Sequence, residues 1–197
     1  FNANKAGHSG TLDPLATGLL PIALGEATKT VPWLMEAEKI YRFSIIWGVS
    51  TDTQDAEGRE ISRSDVRPAP EAAAAALAEF VGEKDQIPPI YSAVKIGGER
   101  AYDLARDGET PELKPRPVVL HEARVLDTST PERLDCEVRC GKGYYIRALV
   151  RDMALALGAE GHVADLRRLR VGPFCEENAI SLDALIDLAR AAAARGA

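Results

Sequence analysis

The chain has 197 residues, of which 46% are hydrophobic and 27% are charged, and its formal net charge is −6. These values are ordinary for a soluble globular protein and fit one large domain, or one domain with an insertion. No apolar run is long enough to predict a membrane span, which argues against a membrane protein. The three cysteines form no CxxC pair, and this is typical of reduced thiols in the cytosol rather than of a disulfide framework.

The N-terminal quarter of the sequence predicts short elements separated by loops. The residue pattern predicts a loop with a turn near Pro14, a short buried strand over 19–24, a helix over 26–35 that Pro32 perturbs or begins, and a strand over 40–47. The strand is expected to be half-buried because Tyr41 and Phe43 alternate with polar residues.

The middle of the chain begins with a loop over 48–58. Its acidic residues do not follow the spacing of a calcium-binding loop, so we expect a solvated turn between two strands. Further on, the pattern predicts a helix over 70–80, an irregular segment over 86–92 that contains two consecutive prolines, a strand over 94–96 and a helix over 100–106.

The C-terminal half predicts two strands and three helices. The strands are expected over 118–126 and 134–140, and the helices over 146–157, over 162–168 before a strand-like 169–171, and after the capping residue Ser181. Cys136 and Cys140 would share one face of the second strand, where core packing is expected. Because strands and helices mix without a βαβ repeat, we predict an α+β fold with a mixed, mostly antiparallel central sheet flanked by helices and loops.

The most unusual stretch reads GHSGTLDP and occupies residues 7–14. Its glycines permit a left-handed backbone or the close approach of a ligand. Pro14 excludes Asp13 from the helical region and favours an extended or turn conformation. Two interpretations follow: Asp13 is a reactive carboxylate presented on a stiff turn, or it caps a helix that Pro14 begins.

This stretch resembles the catalytic motif of the TruB family, the tRNA pseudouridine synthases that act on the T-loop uridine at position 55. The resemblance covers GHSGTLDPLATGLL at 7–20 and GEATK at 25–29. Later segments resemble the same family in the same order: KIYR at 39–42, QIPPIYSAVK at 86–95, GYYIR at 143–147 and HVADLRRL at 162–169. The matched segments are spread over most of the chain.

The resemblance implies three catalytic residues. Asp13 would be the catalytic carboxylate, which either attacks C1′ or takes a proton from the sugar. Arg147 would be its partner, because a guanidinium favours an ionised carboxylate and can bind both of its oxygens. Tyr41 would stack on the target base and could accept the C5 proton. Taken alone, Arg147 would be interpreted as a surface ion pair and Tyr41 as a core residue.

The resemblance also implies a set of substrate-binding residues. Tyr145 and Leu166 would line the base pocket, together with Tyr41. His8 would fill the gap that the flipped base leaves in the stack, although a loop histidine bonded to the backbone is the alternative. Independently of the resemblance, the basic side chains of Lys5, Lys29, Arg167 and Arg168 are candidates for phosphate contacts.

The charge distribution bears on the expected partner, which is tRNA bound through its T-stem-loop. Residues 51–85 carry nine acidic and four basic residues, whereas residues 139–170 carry seven basic and three acidic residues. We expect RNA to approach the second region and to avoid the first. Isomerisation breaks the glycosidic bond and rejoins the base through C5 without a redox step, so neither a cofactor nor a metal is expected.

The resemblance implies one catalytic domain over residues 1–197, with the N-terminal segment and the C-terminal RNA-binding domain of the family absent or not covered. The expected protein is a monomeric, cytoplasmic isomerase. Two alternatives remain: a subunit of an RNA-guided pseudouridine synthase, and a non-catalytic module that binds the T-arm. A carboxylate-based hydrolase is disfavoured because no second positioned acid is evident.

Overall fold

The structure, a computed structural model, describes residues 3–127 and 129–195. The strands are β1 (Ala6–His8), β2 (Thr17–Gly18), β3 (Ile22–Leu24), β4 (Lys39–Trp47), β5 (Val49–Thr51), β6 (Glu60–Arg63), β7 (Gly82–Gln86), β8 (Lys95–Ile96), β9 (Glu99–Arg100), β10 (Arg116–Val125), β11 (Arg133–Cys140), β12 (Gly161–Val171) and β13 (Phe174–Cys175). The α-helices are α1 (Val31–Glu36), α2 (Pro70–Glu79), α3 (Ala101–Arg106), α4 (Ile146–Ala156) and α5 (Leu182–Arg195). Two 3₁₀ helices cover Gly25–Thr30 and Glu176–Asn178.

The central sheet has the strand order β13-β12-β4-β11-β10-β7, and neighbours along this order are antiparallel. Strand β2 is added beside β12 in the parallel direction. Three smaller pairs form outside this sheet: β1 with β3, β5 with β6, and β8 with β9. The predicted α+β fold with a mostly antiparallel sheet is confirmed.

One face of the sheet is apolar because its strands alternate in burial. Strand β4 buries Phe43 and Ile45, and β11 buries Cys136 and Cys140, each at 1% exposure or less. Helix α4 covers this face with apolar side chains three to four residues apart, and α2 packs beside it. The two cysteines therefore lie in the core, as expected, and burial raises the pKa of both thiols to about 12.

Strand β12 corrects the helix predicted over 162–168. Its buried residues are Gly161, Val163, Leu166, Arg168 and Val171. The strand register shifts twice, between 163 and 165 and between 168 and 170, so inward-facing positions lie two and then three residues apart. Because of these bulges, the buried residues are spaced along the sequence in a way that resembles a helix, although the segment is a strand beside β4.

The strand predicted over 19–24 is also partly wrong. The ordered element is the shorter β3, and Ile22 is 57% exposed because β3 pairs with β1 outside the central sheet. By contrast, the helix after Pro70 and the Ser181 cap are confirmed, the latter by an Ala184 amide that donates to Ser181 Oγ at 3.2 Å. In the described ranges, no helix combines the length and the apolar character that a membrane crossing requires.

Candidate active site

The turn that carries Asp13 follows from the Asp13–Pro14 pair. Pro14 excludes Asp13 from the helical region, and the Ala16 amide donates to the Asp13 carbonyl oxygen at 2.9 Å, which closes a four-residue turn. No helix begins at Pro14, so the interpretation of Asp13 as a helix cap is wrong. The chain continues into β2, where the Leu19 amide donates to the Arg168 carbonyl oxygen at 2.8 Å. The turn is thereby attached to the central sheet.

Arg147 is the second residue of α4, and a clamp from β7 fixes the start of this helix. The Gln86 amide nitrogen donates to the Tyr145 carbonyl oxygen at 3.2 Å. The Gln86 amide oxygen accepts the Tyr145 N–H at 2.9 Å. Gln86 is 5% exposed, so this two-point contact is protected from water. The clamp sets the direction in which the Arg147 side chain leaves the helix.

Arg147 holds both oxygens of Asp13. Its Nε donates to Oδ2 and its Nη2 to Oδ1, each at 2.8 Å. The same guanidinium donates through Nη1 to the Thr53 carbonyl at 2.9 Å and through Nη2 to the Tyr91 carbonyl at 2.8 Å. The Arg147 side chain is 4% exposed, whereas that of Asp13 is 29% exposed. Arg147 therefore orients the carboxylate from behind, and Asp13 alone of the pair meets solvent.

A second carboxylate, Asp55, stands behind the pair. Its Oδ2 lies 3.7 Å from Arg147 Nε, and its side chain is 4% exposed. Its Oδ1 accepts from Thr53 Oγ1 at 2.6 Å and from the Glu57 N–H at 3.1 Å. The sequence did not identify Asp55, because the loop was expected to be a solvated turn. The turn between β5 and β6 is confirmed, but its centre is buried against the active site.

A cavity of about 510 Å³ opens beside Asp13. A volume of this order is ordinary for a small-molecule site. The walls come from the Asp13 turn, the Asp55 loop, α3 and the start of α4, with the lining residues Asp13, Asp55, Tyr91, Ser92, Arg100, Tyr102, Arg106, Tyr145 and Arg147 among them. Tyr145 lines this cavity together with Asp13, and burial raises its pKa. Its contact with the target base stays a prediction.

Tyr41 lies on β4, where it packs against the hydrophobic core, and it is not one of the residues that line the cavity. Burial raises the pKa of its phenol, and the negative charge of Asp13 raises it further, whereas the nearby Arg168 lowers it. Arg168, the partner of Tyr41 in the strand register, donates to the carbonyls of Gly10 and Thr11 in the Asp13 turn. The structure therefore gathers Asp13, Arg147 and Tyr145 at one cavity and connects Tyr41 to the same turn through β12.

The remaining expected binding residues lie apart from the cavity. Leu166 is 6% exposed and belongs to the hydrophobic core, opposite Phe43 on the neighbouring strand. His8 ends β1 and Lys5 precedes it, and both are exposed. The RNA contacts expected of these three residues stay predictions.

The basic region over 139–170 is not an open positive surface. Arg168 is 1% exposed, and its guanidinium donates to the Leu19 carbonyl inside the protein. The phosphate contact expected of Arg168 is therefore wrong. The other basic side chains bond to neighbouring groups: Arg139 to Glu38 and Glu122, Lys142 to Glu36, Arg151 to Asp152, Arg167 to Glu176 and Arg170 to the Gly172 carbonyl. RNA would have to compete with these contacts.

The cavity wall also contains residues that the sequence did not single out. Arg100 and Arg106 lie over the ring of Tyr102, with guanidinium carbons 5.8 and 5.5 Å from its centroid. The signal for them was the family-like segment over 86–95, which immediately precedes this group. No cluster of three or more side chains suited to a metal ion occurs in the described part of the chain.

The sequence of this chain is similar to those of known proteins along its whole length. The family model described as "TruB family pseudouridylate synthase (N terminal domain)" matches residues 1–146. The model described as "tRNA pseudouridylate synthase B C-terminal domain" matches residues 147–195. The proteins named tRNA pseudouridine synthase B from Caulobacter sp. (strain K31) and Bradyrhizobium diazoefficiens are 62% and 56% identical over 188 and 197 residues.

The chain spans only part of its relatives. It covers 61% of the Caulobacter protein and 57% of the Bradyrhizobium protein, while 95% and 100% of the chain itself is matched. A solved Cbf5-Nop10-Gar1 complex contains a chain that matches with a TM-score of 0.70 and 34% identity, covering 94% of this chain and 46% of that one. A chain in the solved structure of an H/ACA RNP bound to a substrate RNA matches with a TM-score of 0.71 and 29% identity. The match covers 100% of this chain and 48% of that one. On the family-model matches and these identities, the chain belongs to the TruB family of pseudouridylate synthases.

Proposed function

We propose that this protein isomerises uridine to pseudouridine at position 55, in the T-loop of tRNA. The observation that carries the proposal is the Asp13 carboxylate, held at both oxygens by the buried Arg147 at the wall of a cavity. Such a fixed carboxylate supports chemistry at one defined atom, because its orientation is set before the substrate binds. The names of the relatives with 62% and 56% identity support tRNA as the substrate.

The mechanism assigns a task to each group in this region. The target base leaves its stack and enters the cavity beside Asp13 and Tyr145. Asp13 then acts at the sugar, either as the nucleophile at C1′ or as the base that removes a sugar proton. The N1–C1′ bond breaks and the base turns. A bond from C5 to C1′ then forms as C1′ releases the Asp13 carboxylate on the first route, or as Asp13 returns the sugar proton on the second. Tyr41, which lies outside the cavity wall on β4, accepts the proton that leaves C5 once the bound base extends from the cavity to this strand.

The RNA-guided alternative has one observation in its favour. The solved structures that match the fold are a Cbf5-Nop10-Gar1 complex and an H/ACA RNP. Their identity to the chain is 34% and 29%, well below the 62% of the Caulobacter protein named tRNA pseudouridine synthase B. We therefore favour a protein that acts on tRNA without a guide. The monomeric state and the cytoplasmic location expected from the sequence stay predictions.

The test uses a T-stem-loop RNA that carries tritium at C5 of the target uridine. Pseudouridine formation releases this tritium to water, so the purified protein should release it without added RNA or protein. Asp13→Asn should abolish release while RNA binding persists. The matched control is Asp152→Asn, which removes a carboxylate on α4 that pairs with Arg151 instead, and it should retain activity.

Three outcomes would contradict the proposal in different ways. Tight binding without tritium release by the unmodified protein would support the non-catalytic module. Release only after a guide RNA is added would support the RNA-guided alternative. Full release by Asp13→Asn would show that another group performs the chemistry.

A further inference from the structure

Arg168 is a buried cation that the mechanism above does not use. It lies on β12 and is 1% exposed. Its Nε donates to the Leu19 carbonyl at 2.8 Å, Nη1 to the Thr11 carbonyl at 3.2 Å and Nη2 to the Gly10 carbonyl at 3.3 Å. These acceptors are neutral, so they satisfy the donors without cancelling the charge. Burying a guanidinium without a charged partner costs free energy of folding. This cost indicates that Arg168 has a function beyond packing.

The three acceptors identify what Arg168 binds together. Gly10 and Thr11 precede Asp13 in the turn, and Leu19 follows it. One guanidinium thus joins both arms of the catalytic turn. The backbone contributes in the same place, since the Leu19 amide donates to the Arg168 carbonyl. The position of Asp13 therefore depends on Arg168, through the backbone of the turn, as well as on Arg147.

Tyr41 lies directly opposite Arg168 on the neighbouring strand. The two residues are partners in the register of β4 and β12, where opposed Cβ atoms are about 5 Å apart. Burial has the largest effect on the phenol and raises the pKa of Tyr41; the charge of Arg168 lowers it, and the other titratable neighbours, Cys140 and Asp13, raise it. Arg168 is the group around this phenol that favours its ionised form.

We propose that Arg168 is a positioning residue, which holds the Tyr41 phenol beside the Asp13 turn and favours the phenolate form that receives the C5 proton. The inference rests on the proposed function and deepens it. The phenol first loses its own proton to water, a loss that burial makes harder and that the Arg168 charge makes easier. The C5–H bond breaks and its electron pair forms the C5=C6 double bond. The C6=N1 pair moves to N1, which takes a proton from water, and the C5 proton goes to the Tyr41 oxygen.

The first measurement is the isotope effect of deuterium at C5 of the target uridine on turnover. In Arg168→Met, loss of the cation should slow C5 proton transfer, so turnover falls roughly tenfold or more and the isotope effect rises above that of the unmodified protein. Arg168→Lys keeps the charge and should recover part of both. The control is Arg170→Met, an exposed neighbour on β12 that bonds to the Gly172 carbonyl and should match the unmodified protein.

A purely structural role for Arg168 predicts a different result. Misfolding or displacement of the Asp13 turn would lower turnover but leave the C5 isotope effect unchanged, because proton transfer from C5 would be no slower relative to the other steps. That outcome would overturn the inference. An isotope effect that rises equally in Arg170→Met would overturn it as well.

The second measurement does not depend on activity. In protein labelled with ¹³C-tyrosine, the Tyr41 signal is assigned by its loss in Tyr41→Phe and followed with pH by NMR. Removing the cation should move its ionisation to higher pH in Arg168→Met. If that variant does not fold, Arg168→Lys replaces it, with a smaller shift in the same direction. An unchanged titration overturns the inference even when the isomerase is active. A shifted titration in a protein that releases no tritium supports the role of Arg168 and refutes the proposed function.

Discussion

The contact between Arg147 and Asp13 permits a quantitative test through Arg147→Lys. Arg147 donates two hydrogen bonds to the carboxylate and two to main-chain carbonyls. A lysine ammonium carries its donors on one nitrogen and cannot reproduce this planar fork. At least one carboxylate oxygen and one carbonyl therefore lose their partner. At about 1.5–3 kcal/mol for each charge-assisted bond, the free energy of unfolding should fall by roughly 3–6 kcal/mol.

The expected consequences are a lower Tm and a lower rate. For a chain of this size, about 2–4 °C is lost per kcal/mol, which gives a fall in Tm of roughly 6 °C or more. The freed carboxylate of Asp13 can rotate, and misplacement of a reacting group on this scale costs on the order of 100-fold in rate. Calorimetry measures the first effect, and single-turnover tritium release from the T-stem-loop measures the second.

Arg151→Lys is the matched control, one helical turn further along α4. Arg151 also binds a carboxylate and a carbonyl, those of Asp152 and Ile87, but its side chain is 31% exposed and lies away from Asp13. Its substitution should change Tm little and leave the rate unaffected. If Arg147→Lys behaved like this control in both measurements, the orienting role assigned to Arg147 would be refuted.

Three further predictions concern other parts of the structure. Asp55→Asn removes the second carboxylate near Arg147 but keeps an acceptor for the loop, and turnover should fall by about tenfold, or about 1.4 kcal/mol, without loss of RNA binding; equal turnover would contradict its role. Gly18→Ala would place a Cβ 2.3 Å from the Arg168 main-chain oxygen on β12, at a φ of +94°. Gly25→Ala, at a φ of +55° with open space around it, should lower the free energy of unfolding by only about 1–2 kcal/mol. Thermal melts should therefore show a clearly larger fall in Tm for Gly18→Ala than for Gly25→Ala. Iodoacetamide at pH 8 should label the half-buried Cys175 in the native protein and spare the two thiols of β11, because a pKa raised to about 12 leaves little thiolate; mass spectrometry showing three labels before unfolding would contradict this.

Local chemistry explains why part of the site could be predicted from the sequence. The Asp13–Pro14 pair restricts the backbone by itself, so the turn follows from two adjacent residues. The alternation along β4 and the apolar stripe of α4 likewise require only neighbours in the chain. The family-like segments then paired Asp13 with Arg147, which the structure joins across 134 positions of sequence.

The tertiary structure decided what depends on long-range contacts. Asp55 belongs to the site only because its loop packs behind Arg147, and no local pattern distinguishes it from a solvated acid. Gln86 clamps the start of α4 from another strand for the same reason. Arg168 looked like a surface base, because a basic residue in a strand carries no sequence mark of burial. The bulges of β12 concealed the strand itself by spacing its buried residues as in a helix.

The sequence by itself thus determined the fold class, the turn that presents the carboxylate, and the guanidinium that partners it. The fold class follows from patterns along single elements and the turn from two adjacent residues, whereas the pairing of Arg147 with Asp13 came from the resemblance to the family. Only the tertiary structure decided which charges are buried around Tyr41 and which loop stands behind Arg147. Burial and pairing are properties of the assembled sheet, and the residues that share them here lie far apart in the chain.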